Sequence, residues 1–148
     1  MIVIASDHAA YPLKVSLLKY FDKNKINYLD LGTNSLESVD YPDYGIKLGK
    51  AVMSGKYEYG IAMCGTGIGI SIAANKVKGV RAALVTNEKT AALAKEHNNA
   101  NVIAFGGRTT TLKEAIKIIK AFNKAKYDPR HQKRIDKITN YEAEKWVN

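Results

Sequence analysis

A chain of 148 residues is long enough for one domain with a substantial core and too short for two ordinary ones. Hydrophobic residues at 46% and charged residues at 25% are globular proportions, which exclude disorder, collagen-like repeats and coiled coil. The formal net charge of +9 points to an anionic partner such as nucleic acid, an acidic membrane or a phosphorylated small molecule.

Ile2 to Ala5 is a short β-branched run that stops at Ser6-Asp7, as a buried parallel strand would. Leu13, Leu17, Leu18 and Phe21 then recur at helical spacing. Pro12 suits a first turn, and Lys14, Lys19 and Lys23 fall between the apolar positions as a solvated face. Ile26 to Leu31 reads as a second strand closed by Gly32. The polar stretch Thr33 to Tyr44, with Pro42 inside it, reads as a long loop before a helix over Gly45 to Met53. Tyr59 to Met63 is a third strand, Gly65 to Gly69 a glycine-rich turn, and Ile70 to Val77 a helix. Arg81 to Val85 and Val102 to Phe105 are the fourth and fifth strands. They are followed by helices over Glu88 to His97 and Thr111 to Ala125. Beyond Tyr127, Pro129 breaks the pattern, and Ile135, Ile138 and Tyr141 suggest a terminal helix with one narrow apolar stripe.

Strands alternating with helices predict an α/β fold, three-layer and Rossmann-like, with a five-stranded parallel sheet. Ligands in such sheets bind beyond the carboxyl ends of the strands. That rule selects Ser6-Asp7-His8, Asp40-Tyr41-Pro42, Cys64 to Ser71 and Gly106 to Arg108. His97-Asn98, at the end of a helix, could reach that edge or the opposite one. With a single cysteine, Cys64, neither an intramolecular disulfide framework nor a cysteine-built zinc site is possible. No cationic leader precedes the first apolar run and no segment approaches the roughly 18 apolar residues of a membrane span, so a cytoplasmic location is expected.

The strongest local signal is Cys64-Gly65-Thr66-Gly67-Ile68-Gly69-Ile70-Ser71, a cysteine at a strand end followed by three glycines and a helix. Glycines let successive N–H groups face one point, which suits an anion, and the same field favours a thiolate. Nucleophile, base and buried packing residue all remain open for Cys64 on these grounds. The spacing excludes a Walker A loop, which needs Gly-Lys-Ser/Thr. It also excludes a dinucleotide loop, since no glycine follows the first strand, and a cysteine phosphatase, whose arginine position is occupied by Ile70. The histidines His8, His97 and His131 show no metal-ligand spacing, so no metal is expected. Lys113, Lys117, Lys120 and Lys124 repeat opposite Ile116, Ile119 and Phe122 as a solvated helix face. Arginine grips phosphate with a planar fork, and Arg108, Arg130 and Arg134 form a possible phosphate pincer or ordinary ion pairs. Stacking aromatics interleaved with bases, as single-stranded nucleic acid would need, are not apparent.

Taken together, several motifs make the chain resemble the type B ribose-5-phosphate isomerases and the related galactose-6-phosphate isomerase subunits. They are Ser6-Asp7-His8-Ala9, Asp40-Tyr41-Pro42-Asp43-Tyr44, Cys64 to Lys76, Gly79-Val80-Arg81-Ala82-Ala83, Glu96-His97-Asn98, Asn101-Val102, Phe105-Gly106-Gly107-Arg108 and Arg130-His131-Gln132-Lys133-Arg134. The resemblance covers nearly the whole chain. Ala10, Pro12 and Asp128-Pro129 depart from it, two of them where glycine is common.

The resemblance implies one sugar-phosphate isomerase domain over residues 1–148. It interconverts D-ribose 5-phosphate and D-ribulose 5-phosphate through a cis-enediolate and links the pentose phosphate pathway to nucleotide precursors. Cys64 would be the base, His97 would open the ring, and Asp7 and Thr66 would assist proton movement. Gly65, Gly67, Ile68 and Gly69 would meet the developing oxyanion, and Tyr41, Asn98 and Ser71 would line the sugar. His8, Arg108, Arg130 and Arg134 would hold the phosphate, divided between two subunits, with the tail 127–148 docking on the partner. A homodimer or homotetramer with sites at the dimer interface follows, with no cofactor, nucleic acid or membrane involved. The alternatives are a galactose- or allose-6-phosphate isomerase and, in another class, a non-catalytic basic module that binds phosphosugar or RNA.

Overall fold

The computed structural model describes residues 1–145. Five strands, β1 (Ile2–Ser6), β2 (Tyr28–Asp30), β3 (Gly60–Cys64), β4 (Ala82–Leu84) and β5 (Val102–Gly106), form one sheet in the order β2-β1-β3-β5-β4. Every pairing in it is parallel. The helices are α1 (Tyr11–Lys23), α2 (Tyr41–Met53), α3 (Ile68–Ala74), α4 (Glu88–Asn98), α5 (Leu112–Lys124) and α6 (Gln132–Lys145), with 3-10 turns at His8–Ala10 and Pro129–His131.

β1, β3 and β5 are buried along their whole length, as continuous apolar strands must be when both faces of a sheet are covered. On one face Ile2, Ile4, Ile61, Met63, Ile103 and Phe105 pack with Leu13, Leu17 and Phe21 of α1, Ala91 and Ala94 of α4, and Ile118 and Phe122 of α5. On the other, Val3, Ala5, Ala62, Cys64, Val102 and Ala104 meet Leu48 and Val52 of α2 and Ile70 and Ala74 of α3. The expected three-layer α/β architecture is therefore present. From β1 the chain crosses to β2 on one side, and β3 then lies on the other, so a topological switch point falls between β1 and β3.

Two expectations need correction. The helix expected from Gly45 begins at Tyr41, and Pro42 lies in its first turn rather than in a loop. A first-turn residue has no intrahelical acceptor for its N–H, so proline loses nothing there, as at Pro12 in α1. Lys14, expected on a solvated face, is 0% exposed. Its ammonium has partners inside the protein: Nζ lies 2.7 Å from Asp30 Oδ1 and donates to the Thr33 carbonyl. Smaller shifts are end effects; α3 runs over Ile68–Ala74 rather than Ile70 to Val77, because Gly67 turns the chain in a left-handed conformation (φ +80) directly before it.

The expected terminal helix is α6, which lies against its own chain. Ile135 is buried, and the Glu142 carboxylate accepts the Gly79 N–H at 3.1 Å. Residues 146–148 of the tail named from sequence lie outside the described residues.

Candidate active site

Three loops meet at the carboxyl edge of the sheet. Cys64 ends β3 and is 4% exposed, and the Gly67 N–H donates to its Sγ at 3.2 Å. The loop can double back this tightly only without a side chain, since a Cβ on Gly67 would stand 2.7 Å from the Phe105 backbone. The turn after β5 is laced onto it by hydrogen bonds from Gly107 N–H to the Cys64 carbonyl (2.8 Å) and from Arg108 N–H to the Gly65 carbonyl (3.0 Å). These bonds bring the Arg108 side chain against Gly65, where an added Cβ would meet Nη1 at 3.5 Å and Ala9 Cβ at 3.7 Å.

From β1, the Asp7 N–H donates to the Met63 carbonyl at 3.1 Å. The Asp7 carboxylate caps the following 3-10 turn, accepting from the N–H groups of Ala9 (3.0 Å) and Ala10 (3.2 Å). His8 therefore starts a fixed turn despite the absence of glycine at Ala10, and its Nδ1 accepts the Val39 N–H at 3.1 Å. Tyr41 opens α2 with its ring across Gly69, so close that a Cβ there would lie 2.6 Å from Cζ. Thr66 Oγ1 accepts the Ile68 N–H at 3.2 Å, and the Ser71 hydroxyl donates to the Ile68 carbonyl at 2.7 Å. Asp7, His8, Tyr41, Cys64, Gly65, Thr66, Gly67, Ile68, Gly69, Ser71 and Arg108 thus belong to one cluster at the switch point.

The remaining expected site residues are elsewhere. His97 and Asn98 end α4, and three residues later the Asn101 carbonyl accepts the N–H of Gly60, the first residue of β3. Cys64 is the last residue of that strand. At about 3.3 Å per residue, roughly 13 Å of strand separates its two ends. His97 and Asn98 are consequently at the amino edge. Arg130 and Arg134 are there too, because the Asp128 N–H donates to the Glu96 carbonyl at 2.9 Å and ties the tail to the end of α4. One chain does not bring His97, Asn98, Arg130 or Arg134 to its own Cys64.

At the amino edge the organising residue is His131, which sequence reasoning passed over. Its ring lies against that of His97, with centroids 4.4 Å apart, and it is 9% exposed. Arg130 Nε donates to its Nε2, and Arg134 Nη1 approaches its Nδ1, both at 3.2 Å. Burial, the neighbouring His97 ring and the flanking Arg130 and Arg134 guanidiniums hold the His131 pKa below the ordinary imidazole value, with Asp128 opposing them. The available signal was the spacing, which sets His131 one residue from one arginine and one helical turn from the other. Asp128 caps this segment, accepting from Arg130 N–H at 3.1 Å and pairing with Arg130 Nε at 2.9 Å. Arg81 has a different task, its guanidinium capping the Asn98 and Asn99 carbonyls at the end of α4.

Among the described residues no group of three or more His, Cys, Asp or Glu is placed to hold a metal, and no helix is long and apolar enough to cross a membrane.

The sequence matches the Ribose/Galactose Isomerase family over residues 2–138. Ribose-5-phosphate isomerase B of Escherichia coli (strain K12) is 40% identical over 142 residues, covering 95% of each chain. Among solved structures, ribose-5-phosphate isomerase B of Clostridium thermocellum is similar with a TM-score of 0.93 and 46% identity over 97% of both chains. That of Mycoplasma genitalium, solved with bound ribulose-5-phosphate, has a TM-score of 0.89 and 47% identity over 97% of this chain and 96% of that one.

Proposed function

The chain belongs to the ribose/galactose isomerase family and is an isomerase, and from that premise we propose that it interconverts D-ribose 5-phosphate and D-ribulose 5-phosphate, a step of the pentose phosphate pathway. The observation that carries this reading is the Cys64 sulfur at the switch point, with the Gly67 N–H directed onto it. Cysteine acts as a base through its sulfur, and this main-chain donor fixes where that sulfur lies. The ribulose-5-phosphate bound by the Mycoplasma genitalium relative supports a five-carbon substrate.

In this reading Cys64 removes the proton from C2 of the open-chain aldose. The C–H electron pair becomes the C1–C2 double bond, and the carbonyl electrons move to O1. Main-chain N–H groups of the turn from Gly65 to Gly69, apart from those of Gly67 and Ile68 that are held by Cys64 Sγ and Thr66 Oγ1, meet that oxyanion, each such donor being worth roughly 3 kcal/mol in the transition state. Return of the proton to C1 and transfer of the O2 proton to O1 give the ketose. C1 is reduced as C2 is oxidised, so no external redox partner is needed. Asp7 and Thr66 assist the proton movements, and Tyr41 and Ser71 border the sugar. His8 and Arg108 hold the phosphate from the Cys64 side.

Ring opening and the rest of the phosphate clamp require a second copy of the chain. The partner subunit's His97 protonates the ring oxygen, and the partner subunit's Asn98, Arg130 and Arg134 close over the sugar phosphate. The complete site forms where the carboxyl edge of one protomer meets the amino edge of its partner, with the segment from Tyr127 docked there. A homodimer satisfies this arrangement, and a homotetramer would contain the same interface.

A coupled assay on ribose 5-phosphate, galactose 6-phosphate and allose 6-phosphate tests the reading. We expect the highest kcat/KM on ribose 5-phosphate and a loss of about 10³-fold in kcat for Cys64→Ala. Turnover retained in Cys64→Ala would remove the proposed base. A higher kcat/KM on a six-carbon phosphate would move the assignment to the hexose branch.

A further inference from the structure

Lys14 is a fully buried ammonium, and no role in the chemistry above has been given to it. Burying a charge costs more than burying an apolar chain of the same volume, even when the charge is paired. What Lys14 holds therefore bears on why it is there. Its Nζ pairs with Asp30 Oδ1 at 2.7 Å and donates to the Thr33 carbonyl. The same carboxylate oxygen accepts the Gly32 N–H at 2.9 Å. Gly32 and Thr33 are in turn bound to the end of β1, by hydrogen bonds of 2.7 Å from Ser6 N–H to the Gly32 carbonyl and from Thr33 N–H to the Ser6 carbonyl. The two residues after Ser6 are Asp7 and His8. The loop that leaves Thr33 returns at Val39, whose N–H lands on His8 Nδ1 at 3.1 Å. One ammonium thus fixes both the root of the loop that touches His8 and the strand end that carries His8.

We propose that Lys14 is a positioning residue for the anion site. By pinning Asp30 and Thr33 it sets the 33–40 loop so that the Val39 N–H occupies His8 Nδ1, which leaves the proton on Nε2 as the donor offered to the substrate phosphate. His8 then acts as an oriented donor through Nε2, beside the arginines of the clamp. The inference rests on the phosphate role assigned to His8 above.

The test is Lys14→Met combined with Asp30→Asn, which removes the charged pair without stranding either ion, with Lys14→Met alone as a second variant in which the partly exposed Asp30 carboxylate keeps the Gly32 N–H. Nitrogen NMR of the ligand-free protein should report Nδ1 of His8 unprotonated in the wild type and a mixture of tautomers in the double variant. KM for ribose 5-phosphate should rise by about tenfold while kcat stays within about threefold, with Lys14→Met alone shifting the same way. A general loss of packing would instead lower kcat and the unfolding midpoint together. An unchanged His8 tautomer and unchanged KM in a folded variant would overturn the proposal, as would a fall in kcat alone. If the wild type turned over no sugar phosphate, the functional reading would fail. The NMR measurement would still decide what Lys14 does to His8.

Discussion

At the carboxyl edge Cys64 is surrounded by main chain: Gly67 N–H on its sulfur, Gly107 N–H on its carbonyl, and glycines where three loops come into contact. At the amino edge the contacts are between side chains, with the His97 ring on His131 and two guanidiniums at the His131 nitrogens. The two constructions are vulnerable to different changes. A main-chain cradle fails when a Cβ pushes the loops apart, whereas a cluster of imidazoles and guanidiniums fails when a charge is removed or a proton is added.

The largest effect should come from adding one carbon to the first construction. Gly67→Ala must accept a Cβ 2.7 Å from the Phe105 backbone at φ +80, a conformation that disfavours any side chain. A loss of about 2 kcal/mol or more in unfolding free energy and of about 100-fold in kcat is expected. Wild-type stability and turnover would show that the loops do not need their close approach. The second construction should respond in binding instead. Arg134→Ala is expected to raise KM for the phosphorylated sugar by about tenfold or more, as loss of a charged hydrogen bond does, with little change in unfolding midpoint. An unchanged KM would remove Arg134 from the phosphate clamp.

The smallest effect is a pH dependence specific to the amino edge. Because the folded His131 pKa lies below the ordinary value of 6.5, the unfolded chain binds that proton more readily than the folded one. Its contribution to stability is present above pH 6.5, is lost as pH falls below it, and stops changing below the folded pKa. Thermal unfolding followed from pH 8 to 5 should show this decline, and His131→Asn should flatten it. An identical slope in the variant would contradict the assignment.

Much of this was legible in the sequence, for reasons that differ between the edges. β1, β3 and β5 are apolar runs ended by polar or glycine residues, so both the strands and the glycine turn after Cys64 could be read locally. Pro42 misled because it was weighed as a helix breaker, although a proline in a first turn, like Pro12, costs nothing. Lys14 misled because its partners Asp30 and Thr33 are distant in sequence and no periodicity predicts a buried ion pair. The edge reached by His97 depends on where α4 ends relative to β3, a relation fixed only when Asn101 hydrogen-bonds to Gly60. The charge excess lost its initial meaning in the same way, since Arg81 caps a helix while Arg108 and the Arg130–Arg134 pair lie at opposite edges.

The central claim, a site assembled from opposite edges of two protomers, can be tested by complementation. Cys64→Ala and His97→Asn chains, each nearly inactive alone, should form mixed dimers when coexpressed. In each mixed dimer one site retains both residues and the other neither. Random pairing should therefore restore about a quarter of wild-type activity, as a two-fold symmetric dimer requires. A coexpressed mixture no more active than its parents would contradict the account.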